Sequence, residues 1–133
     1  MNKECIICDL DGVIFEYLDM GLEEFYKNLD VFCPKNDIIP IIQGLYSQGI
    51  KIIFLTARSE KCRRMTRYQL DSIINFPYEL YMRDRDDIRE DYIIKEEITK
   101  ELMVKYHVLL AIDDNPKNCQ MFKSLGITTL QVL

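Results

Sequence analysis

The chain has 133 residues, 48% of them hydrophobic, and a formal net charge of -5, which is enough apolar matter for one core and predicts a single domain over residues 1–133. Its acidic balance excludes a protein held to nucleic acid mainly by charge spread over the whole surface, while leaving room for a local basic site. No apolar run approaches the ~20 residues that span a bilayer, and MNKECIICDL lacks the long apolar stretch and small-residue cleavage site of an export signal, so a cytoplasmic protein is expected.

The first predicted element is the strand ECIICDL, an apolar run of the kind buried on both faces. Cys5 and Cys8 have a metal-like spacing, but in a strand they point to opposite faces, and no second Cys/His pair follows. With Cys33, Cys62 and Cys119 they form a scattered set expected to be reduced and structural. The strand runs into DLDGVI, where Asp9 and Asp11 flank one residue and Gly12 lets the backbone turn at once. The segment from Gly12 to Gly49 is about two helices long, and its second half, DIIPIIQGLYSQG, carries Asp37 as an expected cap and Gly49 as a stop. IKIIFLT is the second strand and leads into Thr56, Ala57 and Arg58. A helix opening on Ser59 (SEKCRRMTRYQLDSII) precedes the third strand, YELYM, which ends at Arg83. DYIIKEEITKELMVKY is helical, with an apolar stripe through Ile94, Ile98 and Leu102. VLLAIDD ends the fourth strand on Asp113 and Asp114, the helix NPKNCQMFKSLG runs from its Asn-Pro start to Gly126, and TTLQVL is the last strand. Such alternation, with right-handed crossovers, predicts a doubly wound, three-layer α/β/α Rossmann-like parallel sheet.

In sheets of this type ligands bind beyond the carboxyl ends of the strands. The polar clusters fall at those ends: Asp9 and Asp11, Thr56 to Arg58, Arg83, and Asp113 with Asp114. Crowded carboxylates repel unless a cation offsets them, and oxygen ligands of this kind suit Mg²⁺. A carboxylate can also act as a nucleophile toward a phosphoryl group. Asp9 is then the nucleophile, and Asp11 protonates the leaving oxygen and afterwards activates water. The Thr56 hydroxyl and the Ala57 amide would bind a phosphoryl oxygen, and Lys95, in the first turns of its helix, would offset the negative charge.

DLDGVI, FLTAR, the lysine of DYIIKEEI and AIDDNP, in that order, resemble the four motifs of the haloacid dehalogenase (HAD) superfamily of phosphotransferases. The resemblance implies that Asp9 is nucleophile and Mg²⁺ ligand, that Asp11 is acid/base and lends its carbonyl to the metal, that Asp113 completes the metal site, and that Asp114 stands beside it. An acid at position 11 is what phosphatases of this superfamily have and dehalogenases lack. RMTRYQLDSI, RDRDDIREDYIIKEEI and VLLAIDDNPKNCQMFKSLGITTLQV are further similar to the 3′-phosphatase domain of phage-type polynucleotide kinase/phosphatase. That similarity implies substrate contacts from Arg58 and Arg83, an Asp91 that orients Lys95, and a nucleic-acid 3′ end as substrate in end repair. The chain departs from the pattern in having RDDIR where the family has a glycine.

The two positions where the superfamily inserts a cap, Gly12 to Gly49 and Arg83 to Glu90, are too short for one, so a capless, open site is expected. Arg58, Lys61, Arg63, Arg64 and Arg67 read either as a solvated face or as a groove for backbone phosphates. Phe15, Tyr17, Phe25 and Tyr26 read either as core or as base-stacking rings, and His107 as structural. A nucleotide or small-metabolite phosphatase and a non-catalytic phosphate- or nucleic-acid-binding module are the alternative functions. No obligate protein partner is inferred.

Overall fold

The computed structural model describes residues 3–16, 22–27 and 33–133. In chain order these form β1 (Lys3–Cys8), α1 (Leu22–Lys27), α2 (Ile39–Ser47), β2 (Lys51–Ser59), a short 3-10 turn (Glu60–Cys62) running into α3 (Arg63–Ile73), β3 (Glu79–Arg83), α4 (Asp91–Lys105), β4 (Tyr106–Asp113), α5 (Pro116–Ser124) and β5 (Thr129–Gln131). All pairings between these strands are parallel and the strand order is β3-β2-β1-β4-β5. The predicted strands and the Rossmann-like three-layer arrangement are therefore present.

Parity along the strands decides which core each residue joins, because successive side chains leave a strand on opposite faces. Ile6, Cys8, Ile52, Phe54, Leu80 and Met82 pack with Ile42 of α2 and Leu70 of α3. Cys5, Ile7, Ile53, Leu55 and Ala111 pack with Leu102 of α4 and Met121 and Phe122 of α5. Both faces of the sheet are thus covered, which is why β1 and β2 are apolar without alternation. Each large apolar side chain in these layers contributes substantially; truncating Phe54, fully buried, costs about 3–5 kcal/mol.

Between β1 and β2 the described residues form α1 and α2, and the other expected cap position is the short loop 84–90. Helix α2 starts one residue later than the Asp37 cap predicts. Ile38 holds the cap position, Asp37 accepts only the adjacent Ile38 amide at 3.1 Å, and Pro40 fills the first turn, where its missing N–H is no loss. Helix α5 opens as expected, with the Asn115 side chain accepting from the amides of Lys117 and Asn118. All five cysteines are free, and Cys5, Cys8 and Cys119 are buried. Among the described residues no helix is long and apolar enough to cross a membrane.

One irregularity positions the site. The register of β1 against β4 slips between Cys5 and Ile6, bringing Cys8 level with Ile112, and the Asp9 amide donates to the Ile112 carbonyl at 2.9 Å. One residue on, Asp9 and Asp113 face each other on the α4 side. Without the slip, the period of two would send one of them to the other face.

Candidate active site

The strand ends at the β2, β1 and β4 edge converge as the sequence predicts, around a lysine delivered from the other layer. Lys95 stands in the second turn of α4, is 2% exposed, and donates to Asp9 at 2.9 Å and to Asp113 at 2.8 Å. Burial alone would lower its pKa, but the two carboxylates hold it above the ordinary value. Burial, only partly offset by Lys95, raises the Asp9 carboxyl well above the usual carboxylate range. Burial also raises Asp114.

Asp9, Asp113 and Asp114 bring one carboxylate oxygen each within 4.8 Å of one another. Three acids against one buried lysine leave negative charge uncompensated, which suits a hard divalent cation. The surroundings fit one. Gly12 has a φ of +88°, and a Cβ there would collide with the Asp114 carboxylate, so the glycine makes the space this acid occupies. Asn118, 2% exposed, donates its amide to both Asp113 oxygens at 3.3 Å, while its own Oδ1 is buried with no partner among the described residues. An oxygen acceptor without a donor beside a cluster of carboxylates is suited to a hydrated cation.

The Asp11 carboxylate lies apart from this cluster. It takes the Arg58 guanidinium in a two-pronged contact, Nε at 3.0 Å and Nη2 at 2.8 Å. Arg58 is 4% exposed, lies over the Phe15 ring, and donates Nη1 to Thr66 at 3.1 Å and Gln69 at 2.7 Å. The arginine expected at the phosphate therefore braces Asp11 against α3. Pairing of β2 with β3 skips Ala57 and Arg58, a bulge that turns this segment toward the cavity. The Thr56 hydroxyl accepts the Arg58 amide at 3.1 Å, which leaves its own proton to donate outward.

Arg83 is likewise spent on protein. It donates to the carbonyls of Ala57, Asp87 and Arg89 and, at 2.6 Å, to Asp91, and so ties loop 84–90 to β2 and α4. Asp91, expected to orient Lys95, takes this guanidinium instead. It lies one turn before Lys95 on α4 but outside, half-exposed, whereas Lys95 points in.

These groups line one open cavity of about 1090 Å³, with Thr56, Ala57, Lys61, Arg83, Arg85, Ile88, Arg89 and Asn118 on its walls. Arg63, Arg64 and Arg67, read from the sequence either as a solvated face or as a groove for backbone phosphates, do not line it. Arg63 pairs with Glu60 and the Leu80 carbonyl, and Arg67 lies over Tyr78. Of the four aromatics, Phe15 is core, Tyr26 lines the cavity and accepts the Ser59 amide, and Tyr17 and the Phe25 side chain lie outside the described residues. Sequence reasoning missed Asn118; its signal is an amide in the first turn after DDNP, where the helix start turns it back on Asp113.

The sequence pattern of the family described as polynucleotide kinase PNKP phosphatase domain matches residues 3–133. A protein of Autographa californica nuclear polyhedrosis virus, assigned as a bifunctional polynucleotide kinase/RNA ligase, is 27% identical over 128 residues, covering 94% of this chain and 18% of that protein. A chain of the Pnkp1/Rnl/Hen1 RNA repair complex superposes with a TM-score of 0.87 at 28% identity, over 98% of this chain and 42% of that one. The chain thus spans less than half the length of either relative. The D,D-heptose 1.7-bisphosphate phosphatase from B. bronchiseptica shares the fold, with a TM-score of 0.65 at 18% identity over 97% of this chain and 79% of that one.

Proposed function

The chain belongs to the polynucleotide kinase PNKP phosphatase-domain family, phosphatases of the haloacid dehalogenase type, and from that premise we propose that it removes the 3′ phosphate from a nucleic-acid end during repair in the cytoplasm. The observation that carries the reading is the Lys95-bridged pair of Asp9 and Asp113, with Asp114 beside it, at the floor of an open cavity. The cavity, open and about 1090 Å³, has room for a substrate larger than a phosphorylated metabolite.

In this reading Asp9 attacks phosphorus through a carboxylate oxygen while the bond to the sugar 3′ oxygen breaks, and Asp11 gives that oxygen its proton. Water, losing its proton to Asp11, then attacks phosphorus, the bond to Asp9 breaks, and phosphate leaves. Thr56 and the Ala57 amide hold phosphoryl oxygens, Arg58 keeps Asp11 in place, and Lys95 fixes Asp9 against Asp113. The carboxylates of Asp9, Asp113 and Asp114, with the Asp11 carbonyl, are the groups to hold Mg²⁺, which would keep Asp9 ionised and neutralise phosphoryl charge. Arg83 and Asp91 brace the wall that the substrate meets. One relative belongs to the Pnkp1/Rnl/Hen1 RNA repair complex, which supports an analogous protein partner for this chain.

The test is phosphate release from 3′- and 5′-phosphorylated oligonucleotides, mononucleotides and a phosphopeptide. Turnover is expected to be fastest on 3′ ends, to vanish with a chelator, and to vanish in Asp9→Asn. Faster turnover of another class abandons the end-repair reading, and an acyl-phosphate trapped on a different residue abandons Asp9.

A further inference from the structure

Six cationic side chains line the cavity, Arg58, Lys61, Arg83, Arg85, Arg89 and Lys95, and four of them are committed. Lys95 holds Asp9 and Asp113, and Arg58 holds Asp11, Thr66 and Gln69. Arg83 ties loop 84–90, and Arg89 pairs with Asp87 at 2.7 Å and Glu97 at 2.6 Å. Lys61 and Arg85 are exposed, and among the described residues neither side chain makes a hydrogen bond or ion pair. Glu60, close to them, is taken by Arg63 at 2.7 Å.

The acids on the walls are distributed the other way. Asp9, Asp11, Asp87 and Asp91 each have a cation, and Asp114 belongs to the acidic cluster with Asp9 and Asp113. The floor is therefore balanced or negative, and the unpaired positive charge stands on the outer wall beyond β2 and β3. Both cations are presented from braced backbone. Lys61 follows Ser59, whose side chain accepts the Lys61 amide at 3.1 Å and whose own amide is held by Tyr26. Arg85 stands on the loop that the Arg83 fork fastens at Ala57, Asp87, Arg89 and Asp91.

We infer that Lys61 and Arg85 hold the phosphodiester next to the reacting phosphate, and so make the enzyme selective for strand ends of at least two nucleotides. The inference rests on the nucleic-acid reading above and names the residues that carry it. A terminal 3′-phosphate fills the floor, where every cation is already used. The next charge along the strand is one nucleotide outward, where the cations are free. A phosphorylated metabolite or 3′-mononucleotide has nothing to offer them.

The experiment compares steady-state kinetics of the wild type, Lys61→Gln, Arg85→Gln, the double variant and Arg64→Gln on a 3′-phosphorylated hexanucleotide, a 3′-mononucleotide and an aryl phosphate. Loss of a contact to a charged group corresponds to roughly a tenfold to hundredfold rise in KM per residue at low salt. The double variant is expected to lose most of the preference for the hexanucleotide over the mononucleotide, through KM rather than kcat. Its log KM should also depend on log salt less steeply, by about 0.7 for each phosphate contact removed. Arg64→Gln, which removes an equal charge outside the cavity, is expected to keep the wild-type salt slope. A wild type with no preference for the hexanucleotide over the aryl phosphate overturns the inference together with the nucleic-acid reading. A double variant that keeps both the preference and the slope overturns the inference alone, as does an Arg64→Gln slope that falls in its place.

Discussion

Arg58 decides what Asp11 can do. A guanidinium fork with two short bonds fixes the orientation of the Asp11 carboxyl, the group proposed above to activate water in the second half of the reaction. Lysine at position 58 keeps the charge but loses the fork and the bonds to Thr66 and Gln69, leaving Asp11 free to turn. With an aryl phosphate, whose leaving group needs no proton, Arg58→Lys should still phosphorylate Asp9 at nearly the wild-type rate. Hydrolysis of the acyl-phosphate should slow by about 10²-fold, the scale of general-base catalysis. Rapid-quench kinetics should therefore show a burst of phenol followed by slow turnover. If burst and steady state fall together, Arg58 acts on the first step, as a direct phosphate contact would. Because Arg58 is buried, the variant's melting temperature is measured alongside, and a folded variant showing the burst separates the role from general damage.

At the scale of elements, Gly12 shows how a turn and the acidic cluster depend on each other. Alanine at position 12 faces a φ of +88° and a clash with Asp114, a cost of about 1–2 kcal/mol for the backbone alone. Gly12→Ala should lower the melting temperature by roughly 2–8 °C and raise the Mg²⁺ concentration for half-maximal activity, since Asp114 must move. A half-saturation equal to the wild type's would show that Asp114 takes no part in holding the ion. The strands were legible in the sequence because burial on both faces leaves unbroken apolar runs such as KIIFL, and the acids were legible because they interrupt those runs at their carboxyl ends. The slip that brings Asp9 opposite Asp113 was not, since a one-residue bulge between Cys5 and Ile6 leaves the apolar pattern of YHVLLAI unchanged. The partners of Arg58 and Arg83 were hidden for a related reason. Motif order puts an arginine near the site, but whether its donors meet phosphate, carboxylate or backbone carbonyls depends on where α3 and loop 84–90 settle. Ser59 was legible as a cap, and Asp37 misled because Pro40 sets the start of α2.

For the whole molecule, the acidic groups that folding holds neutral set an alkaline limit. Burial pushes the Cys5 thiol from 9.0 up to about 12, consistent with its place at 0% exposure in the core between β1 and α4. Burial and the Asp71 carboxylate push the Tyr78 phenol from 10.0 to about 12, and burial and Glu79 do the same for Tyr81. In each case the folded pKa lies above the unfolded one, so the stabilising contribution is fully present below about pH 9 for the thiol and about pH 10 for the phenols. It is lost as pH rises toward about 12, because the unfolded chain gives up protons that the folded chain keeps. For the fully buried thiol the loss is about 1.4 kcal/mol for each pH unit in that window; for the partly exposed phenols, solvent screening makes it smaller. Under reducing conditions the melting temperature should therefore be flat from pH 7 to 9 and fall steeply above it. Cys5→Ala should start from a lower plateau, through the small cavity it leaves, and descend less steeply between pH 9 and 12. A descent as steep as the wild type's would mean that the β1 thiol ionises freely in the folded protein, and that the core beneath the active-site strand is open to water at the end remote from Asp9.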